Sequence, residues 1–156
     1  MSEIVLREAT DADIPTIVAV TRAAFGEYTG WLNPPSGAQN ETPEKVRSKL
    51  ASGHGVLALI GDRVVGSVYY SAEAEYIYLG RLAVLPEYRG QGIGTALVAE
   101  VERRARALGR VRVRLGVRVA LPQLRARYER LGYQVYEERR HEGFAEPTYL
   151  MMEKLL

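Results

Sequence analysis

The chain has 156 residues, a formal net charge of +2, two histidines and no cysteine. The length suits one domain, and we predict a single domain over residues 1–156. Charge this close to balance argues against a nucleic-acid partner, which would require a strongly basic surface. The lack of cysteine excludes disulfides and a thiol nucleophile, and two histidines are too few to indicate a metal site.

The start of the chain and its hydropathy favour a cytoplasmic protein. Met1, Ser2 and Glu3 carry neither the basic nor the apolar part of a signal peptide. No apolar run approaches the length that a membrane span requires. We therefore expect no membrane partner.

The first part of the chain predicts a series of short elements. Thr10 can cap a helix whose first turn carries acidic residues, and Thr42 followed by Pro43 marks the start of a second helix. The predicted elements are strands at residues 4–7, 56–60, 64–70 and 76–85, a first helix from the cap at Thr10 through Phe25, and a second helix that ends by residue 53.

The segment 26–40 between the two helices breaks the periodicity with glycines and prolines. It carries Glu27, Tyr28 and the single tryptophan of the chain, Trp31. Because loops often carry functional residues, Tyr28 and Trp31 are candidate substrate-binding residues. The alternative is that Tyr28 packs half-buried and that Trp31 plugs the core, and the sequence favours neither reading.

A glycine-rich turn connects the strand that ends at Leu85 to a long helix. Glycines occupy positions 90, 92 and 94, and from Ile93 the apolar residues follow the spacing of one helix face as far as Leu108. Glycines let the backbone approach a ligand, and a helix N-terminus favours negative charge. The turn therefore predicts a ligand that carries phosphate.

The residues of this turn eliminate two common phosphate sites. A loop that binds nucleoside triphosphates needs a lysine after its last glycine, and this chain has Thr95 there. A dinucleotide site needs an acidic residue about twenty positions further on. The strand predicted at residues 111–117 contains no acidic residue. An ordinary strand-turn-helix whose glycines serve packing is the remaining alternative.

The pattern that does fit is Arg-x-x-Gly-x-Gly, from Arg89 to Gly94, placed after Leu-Ala-Val and Pro86. It closely resembles the coenzyme A pyrophosphate loop of the GNAT superfamily, the acyl-CoA-dependent N-acetyltransferases. The resemblance implies acetyl-CoA as the acyl-donor cosubstrate and no metal. The coenzyme-binding residues that it implies are Leu82, Ala83, Val84, Arg89, Gly90, Gln91, Gly92, Ile93, Gly94 and Thr95.

The second half of the chain extends the resemblance. The strand at residues 111–117 must run parallel to its neighbour if both join one sheet, because a helix connects them. A helix is predicted at residues 121–131, and strands follow to about residue 138 and from residue 148 to residue 154. The run from Tyr128 to Tyr133 is similar to the second GNAT signature, a tyrosine followed by Leu-Gly-aromatic.

The fold class that the resemblance implies is α/β, of the α+β type. It has a mixed, mostly antiparallel central sheet with helices on both faces. The two strands that flank the long helix splay apart in this fold, and the pantetheine arm of the coenzyme lies in the gap.

Acyl transfer to an amine needs a base for the amine, donors for the oxyanion and a proton for the leaving thiolate. The resemblance implies that main-chain N–H groups near Leu82 to Val84 bind the oxyanion and that Tyr128 supplies the thiolate proton. Tyr128 could instead simply pack, because it lies on the apolar face of its helix. In this superfamily a glutamate on or beside the strand before the glycine loop often serves as the base. Glu75 is our candidate, with Glu73 as the alternative, and Tyr76 is a candidate substrate-binding residue.

Two further observations qualify the resemblance. Many family members have an asparagine seven residues before the tyrosine, whereas this chain has Leu121, which cannot form that hydrogen bond to the coenzyme. Glu27 and His141 are outside candidates for the base.

The sequence therefore predicts an N-acetyltransferase that moves an acetyl group from acetyl-CoA to a primary amine of a small molecule or peptide. Direct attack in a ternary complex is expected, because no cysteine is available for a relay. The alternatives are a non-catalytic acyl-CoA-binding sensor or interaction module, and a domain that binds NAD or ATP. Exposed strand edges of this fold often pair between subunits, so a homodimer is a further expectation.

Overall fold

The computed structural model describes residues 3–156. Met1 and Ser2, on which part of the signal-peptide prediction rests, lie outside the described residues. The helices and strands are β1 (Ile4–Glu8), α1 (Ile14–Phe25), α2 (Pro43–Ser52), β2 (His54–Ile60), β3 (Arg63–Ala72), β4 (Ile77–Val84), α3 (Ile93–Ala107), β5 (Arg112–Arg118), α4 (Pro122–Arg130), β6 (Gln134–Arg139) and β7 (Tyr149–Leu155). Within residues 3–156, no helix has both the length and the apolar composition needed to cross a membrane.

The strands form a seven-stranded sheet in the order β1-β2-β3-β4-β5-β7-β6. The pairs β1–β2, β2–β3, β5–β7 and β6–β7 are antiparallel. β4 pairs with β5 in parallel, as predicted from the helix between them, through Ile77 with Val113 and Tyr78 with Arg114. The predicted fold class, a mixed and mostly antiparallel sheet, is confirmed, and the short β4–β5 register agrees with the predicted splay.

The chain divides into two compact units, and the prediction of a single domain stays a prediction. The first unit comprises Met1–Ser71 and Leu79–Val101, and the second comprises Ala72–Tyr78 and Glu102–Leu156. β4 contributes its first two residues to the second unit and the others to the first. Each unit is described by itself below.

The first unit has an apolar core between its two short helices and β2. Its buried cluster consists of Ile14, Ile17, Val18, Val46 and Leu57. Of the two predicted helix caps, that of Thr42 is present: the N–H of Lys45 donates to Thr42 Oγ1 at 3.2 Å, which fixes where α2 begins. Thr10 instead precedes a short 3-10 turn, Asp11–Asp13, that leads into α1, and its backbone N–H donates to Asp13 Oδ2 at 2.8 Å.

The second unit is held together around a buried carboxylate, that of Glu102 on α3. The hydroxyl of Tyr133 donates to Glu102 Oε2 at 2.9 Å, and Lys154 Nζ on β7 donates to Oε1 at 3.0 Å. Tyr133 also meets the ring of Tyr128 edge to face, with ring centroids 5.7 Å apart. Because both oxygens of Glu102 are hydrogen-bonded, its burial is compensated, and it joins α3, β7 and the end of α4.

A glycine of β3 allows the close packing of α3 in the first unit. A Cβ atom on Gly66 would lie 3.1 Å from the carbonyl oxygen of Ala83, from Ile93 Cγ2 and from Leu97 Cδ1. The carbonyl oxygen belongs to β4 and cannot move without moving the strand. The glycine therefore sets how closely the start of α3 approaches the sheet.

Replacement of this glycine should destabilise the protein. We expect Gly66→Ala to lower the free energy of unfolding by about 1–3 kcal/mol, because the added methyl group overpacks a rigid site. Urea denaturation followed by circular dichroism measures this change. The matched control is Gly26→Ala, where a Cβ atom meets nothing within 4 Å and φ is already helical at −62°. Equal stability of the two variants would contradict the close packing at Gly66.

Candidate functional site

The glycine-rich loop of the first unit presents backbone groups at the start of α3. Gly90 and Gly92 have φ angles of +80° and +81°, which L side chains rarely adopt. A Cβ atom at either position would meet nothing within 4 Å. These two glycines are thus required by backbone conformation and not by lack of space.

The first turn of α3 leaves donors available to a ligand. The N–H of Ala96 donates to the carbonyl oxygen of Gly92 at 2.9 Å and is the first donor of the helix to bond within it. By helix geometry, the N–H groups of Ile93, Gly94 and Thr95 have no partner inside the helix. Ile93 is buried and anchors this turn. Together with the helix dipole, these donors favour an anionic ligand such as a pyrophosphate.

The structure brings the loop against the strand segment that the sequence predicts to bind the oxyanion. A Cβ atom on Gly94 would lie 3.8 Å from Val84 Cγ2 and 3.9 Å from Leu82 Cδ2. Gly94 therefore lies directly over these two residues of β4. Two of the predicted coenzyme-binding groups, the strand segment and the glycine loop, are neighbours in the first unit.

The side chain of Arg89 holds the loop to the end of α1. Its guanidinium group donates to Glu27 Oε2 at 3.0 Å and to the carbonyl oxygen of Ala24 at 2.8 Å. The sequence predicted Arg89 as a coenzyme-binding residue and Glu27 as an outside candidate for the base. In the structure the two side chains are paired with each other, across 62 residues of sequence.

Tyr28 and Trp31 occupy different environments, although both lie in the predicted substrate loop. Tyr28 is buried, whereas Trp31 is 54% exposed. Their rings meet edge to face at 5.6 Å, and Trp31 Nε1 donates to the carbonyl oxygen of Glu27 at 2.9 Å. Tyr28 thus packs, and the alternative reading of Trp31 as a plug over the core is wrong because the indole reaches solvent.

Tyr128 lies on α4 in the second unit, and its side chain is buried. Burial raises the pKa of its phenol well above the ordinary value of about 10; the Arg127 charge opposes the rise and Tyr78 adds to it. The phenol is therefore neutral throughout the physiological pH range. In that state it can donate a hydrogen bond or a proton, and it cannot act as a base.

Glu75 and Tyr76 lie in the bend that precedes β4, in the second unit. Glu75 is exposed, and among the described residues no hydrogen bond or ion pair joins it to Tyr128. The guanidinium carbon of Arg114 lies 4.7 Å from the centre of the Tyr76 ring, and Arg114 Nε also donates to Glu153 Oε2 at 3.0 Å. Tyr76 is therefore held by a cation–π contact, while Glu75 is exposed to solvent.

Two residues that the sequence did not single out are joined in the first unit. Glu41 is 1% exposed, and its Oε2 accepts a hydrogen bond from Arg81 Nε at 3.1 Å. Arg81 lies on β4 directly before Leu82, and its φ angle is +53°. Burial lowers the pKa of Lys49, whose ammonium lies 3.9 Å from Glu41 Oε1, and the Arg81 charge lowers it further.

No local pattern indicated these two residues. Glu41 follows Gln and Asn and precedes Thr-Pro, a polar context typical of an exposed turn. Arg81 falls inside a strand pattern. Leu121, which replaces the asparagine of the resemblance, is buried at the N-terminal cap position of α4. Across residues 3–156, no group of three or more histidine, aspartate or glutamate side chains could hold a metal ion.

Comparisons with known proteins agree with this geometry. A family model described as the acetyltransferase (GNAT) family matches residues 20–133, which is more than half of the chain. The PaiA N-acetyltransferase from Thermoplasma acidophilum, solved in complex with coenzyme A, has 22% identity and a TM-score of 0.84, with 99% of each chain covered. A GNAT family acetyltransferase from Elizabethkingia anophelis with acetyl-CoA bound has 18% identity and a TM-score of 0.77, with 100% of each chain covered.

A third solved structure is the ribosomal-protein-alanine N-acetyltransferase from Brucella melitensis. It has 22% identity and a TM-score of 0.73 and covers 97% of this chain and 99% of its own. Identities this low show a common fold. A search of curated protein sequences found no match to the chain.

Proposed function

The chain belongs to the GNAT family of acetyltransferases, and we propose that it moves an acetyl group from acetyl-CoA to the primary amine of a small molecule or a peptide. The observation that carries this proposal is the glycine loop at the start of α3, which lies over Leu82 and Val84 of β4. Support for an amine acceptor comes from two similar structures, whose names specify N-acetyltransferases. A cytoplasmic location and a homodimer stay predictions.

Coenzyme binding is proposed to rest on the backbone of the loop. The N–H groups of residues 90–95 would bind the pyrophosphate, because backbone donors at a helix N-terminus match phosphate oxygens. Arg89 would contribute by holding the loop to Glu27 and Ala24. Leu121 lacks the amide of the usual asparagine, so coenzyme affinity would depend more on the loop.

The chemistry follows from direct attack. The neutral amine nitrogen attacks the thioester carbonyl carbon, and the N–H groups of residues 82–84 bind the oxyanion that forms. Collapse of the intermediate breaks the carbon–sulfur bond, and Tyr128 supplies a proton to the departing thiolate. The amine loses its proton to Glu75, directly or through water. No thioester relay on the enzyme takes part, because the chain has no cysteine to carry one.

The acceptor is proposed to contact aromatic side chains. Trp31 exposes an indole face on the first unit, and Tyr76 is half-buried on the second. Tyr28 would support Trp31 through their edge-to-face contact. A peptide N-terminus beginning with alanine is one acceptor to test, since a similar structure is named for that substrate.

The first prediction concerns coenzyme binding. A hundredfold excess of acetyl-CoA or CoA over its dissociation constant adds about 2.7 kcal/mol to the free energy of unfolding. For this chain length, that raises the unfolding temperature by about 5 to 10 °C. Gly92→Ala should remove most of this shift, because alanine disfavours a φ of +81°. Thermal unfolding with and without each ligand measures it.

The matched control for Gly92→Ala is Gly143→Ala in the second unit. Gly143 has a φ of +86° and open space around its Cα, so backbone strain should be similar while the coenzyme shift is retained. A shift with NAD or ATP alone would contradict the proposed function. A coenzyme shift without acetyl transfer to any amine would favour a sensor instead of an enzyme.

The second prediction concerns the proton for the thiolate. Tyr128→Phe should lower kcat by about 10²-fold, at the lower end for general acids because burial makes this phenol a weak acid. The dissociation constant for CoA should stay the same. Tyr136→Phe is the control, since phenylalanine preserves the ring that lies 4.6 Å from the Arg114 guanidinium. Equal turnover of the two variants would exclude Tyr128 as the acid.

The third prediction concerns the base. Glu75→Gln should lower kcat/KM, because an amide cannot take up the amine proton. Stability should change by less than about 0.5 kcal/mol, since Glu75 is exposed. Steady-state kinetics measures kcat/KM and urea denaturation measures stability, with the exposed Glu142→Gln as control. An unchanged kcat/KM would transfer the role to another group.

A further inference from the structure

The backbone at Arg81 is held in an unfavourable conformation. Its φ angle of +53° makes it the one non-glycine residue with a positive φ among residues 3–156. L-residues with a long side chain rarely adopt this region, least of all inside a strand. Such a conformation persists only where surrounding contacts impose it. The residue that follows is Leu82, the first of the segment proposed to bind the oxyanion.

The side chain of Arg81 is held by an ion pair with Glu41. The Arg81 Nε donates to Glu41 Oε2 at 3.1 Å, and the carboxylate is almost fully removed from water. Arg22 on α1 donates through Nε to the backbone oxygen of Glu41 at 2.7 Å. Lys49 on α2 lies 3.9 Å from the other carboxylate oxygen. Glu41 is therefore contacted by both helices as well as by the strand.

The turn before Glu41 is shaped around the guanidinium group. A Cβ atom on Gly37 would lie 2.8 Å from Arg81 Nη2, so the guanidinium group occupies the space that a side chain at this position would take. The turn Gly37–Asn40 is closed by a capping box, in which the N–H of Ser36 donates to Gln39 Oε1 at 2.6 Å. The turn thus presents Glu41 in a preformed position.

We propose that Glu41 is a positioning residue for acetyl transfer. By holding the Arg81 guanidinium, it keeps the backbone of β4 in the conformation that aims the N–H groups of residues 82–84 at the thioester carbonyl. This inference rests on the proposed function. It assigns Glu41 no contact with substrate or coenzyme.

The test compares two ligands that differ only in the acetyl group. Acetyl-CoA has the thioester carbonyl that these N–H groups bind, and CoA does not. Isothermal titration calorimetry gives the dissociation constant of each. Glu41→Gln should weaken acetyl-CoA binding by about three- to tenfold, the worth of one hydrogen bond, and change CoA binding less than twofold. Glu44→Gln, an exposed glutamate on α2, should change neither.

A pair of double variants separates the backbone effect from the loss of a buried charge. One double variant combines Glu41→Gln with Arg81→Gly, and the other combines Glu41→Gln with Arg81→Ala. Both remove the ion pair. Only glycine adopts a φ near +53° without strain. The glycine variant should recover the wild-type ratio of acetyl-CoA to CoA affinity, and the alanine variant should not. These variants also decide the matter if Glu41→Gln alone does not fold.

The outcomes are distinct for the two proposals. If the wild-type protein binds neither ligand, the proposed function fails, and this inference fails with it. If the wild-type protein binds acetyl-CoA, an equal change in both affinities for Glu41→Gln overturns the inference alone. An equal ratio of acetyl-CoA to CoA affinity in the glycine and alanine double variants also overturns the inference.

Discussion

A carboxylate removed from water must be compensated by cations and hydrogen-bond donors, and in the first unit that carboxylate belongs to Glu41. Arg81 on β4 and Lys49 on α2 approach its carboxylate, and Arg22 on α1 binds its backbone oxygen. Elements far apart in sequence thereby converge on one residue of a loop. Under the proposed role of Glu41, the backbone of the strand segment after Arg81 depends on this convergence for its conformation.

The second unit also contains a buried carboxylate, but its oxygens are compensated differently. Glu102 is buried, and Tyr133 and Lys154 bond one oxygen each. Glu41 is less completely satisfied, because its Oε1 has an ion pair with Lys49 and no hydrogen-bond partner among the described residues. A fully bonded carboxylate stabilises a fixed arrangement of elements. The less saturated carboxylate, that of Glu41, contacts Arg81, which directly precedes the backbone proposed to bind the oxyanion.

Most of the fold and the glycine loop could be predicted because their signals are local. The spacing of glycines around Ile93 and the apolar period of α3 are properties of adjacent residues. Tertiary contacts gave no such signal: Arg89 pairs with Glu27 across 62 positions, and Glu41 is buried although its neighbours in sequence are polar. The conformation of Arg81 was equally invisible, since a positive φ is not an intrinsic preference of arginine and the partner of its side chain lies 40 positions away in sequence.

The position of Trp31 gives the protein an intrinsic optical reporter. It is the only tryptophan of the chain, so indole fluorescence comes from one place. Its ring nitrogen bonds the backbone of Glu27, whose carboxylate holds Arg89 beside the glycine loop. Because the ring is also half in solvent, its emission depends on local hydration. We therefore expect indole fluorescence to report occupancy of the loop without an attached dye.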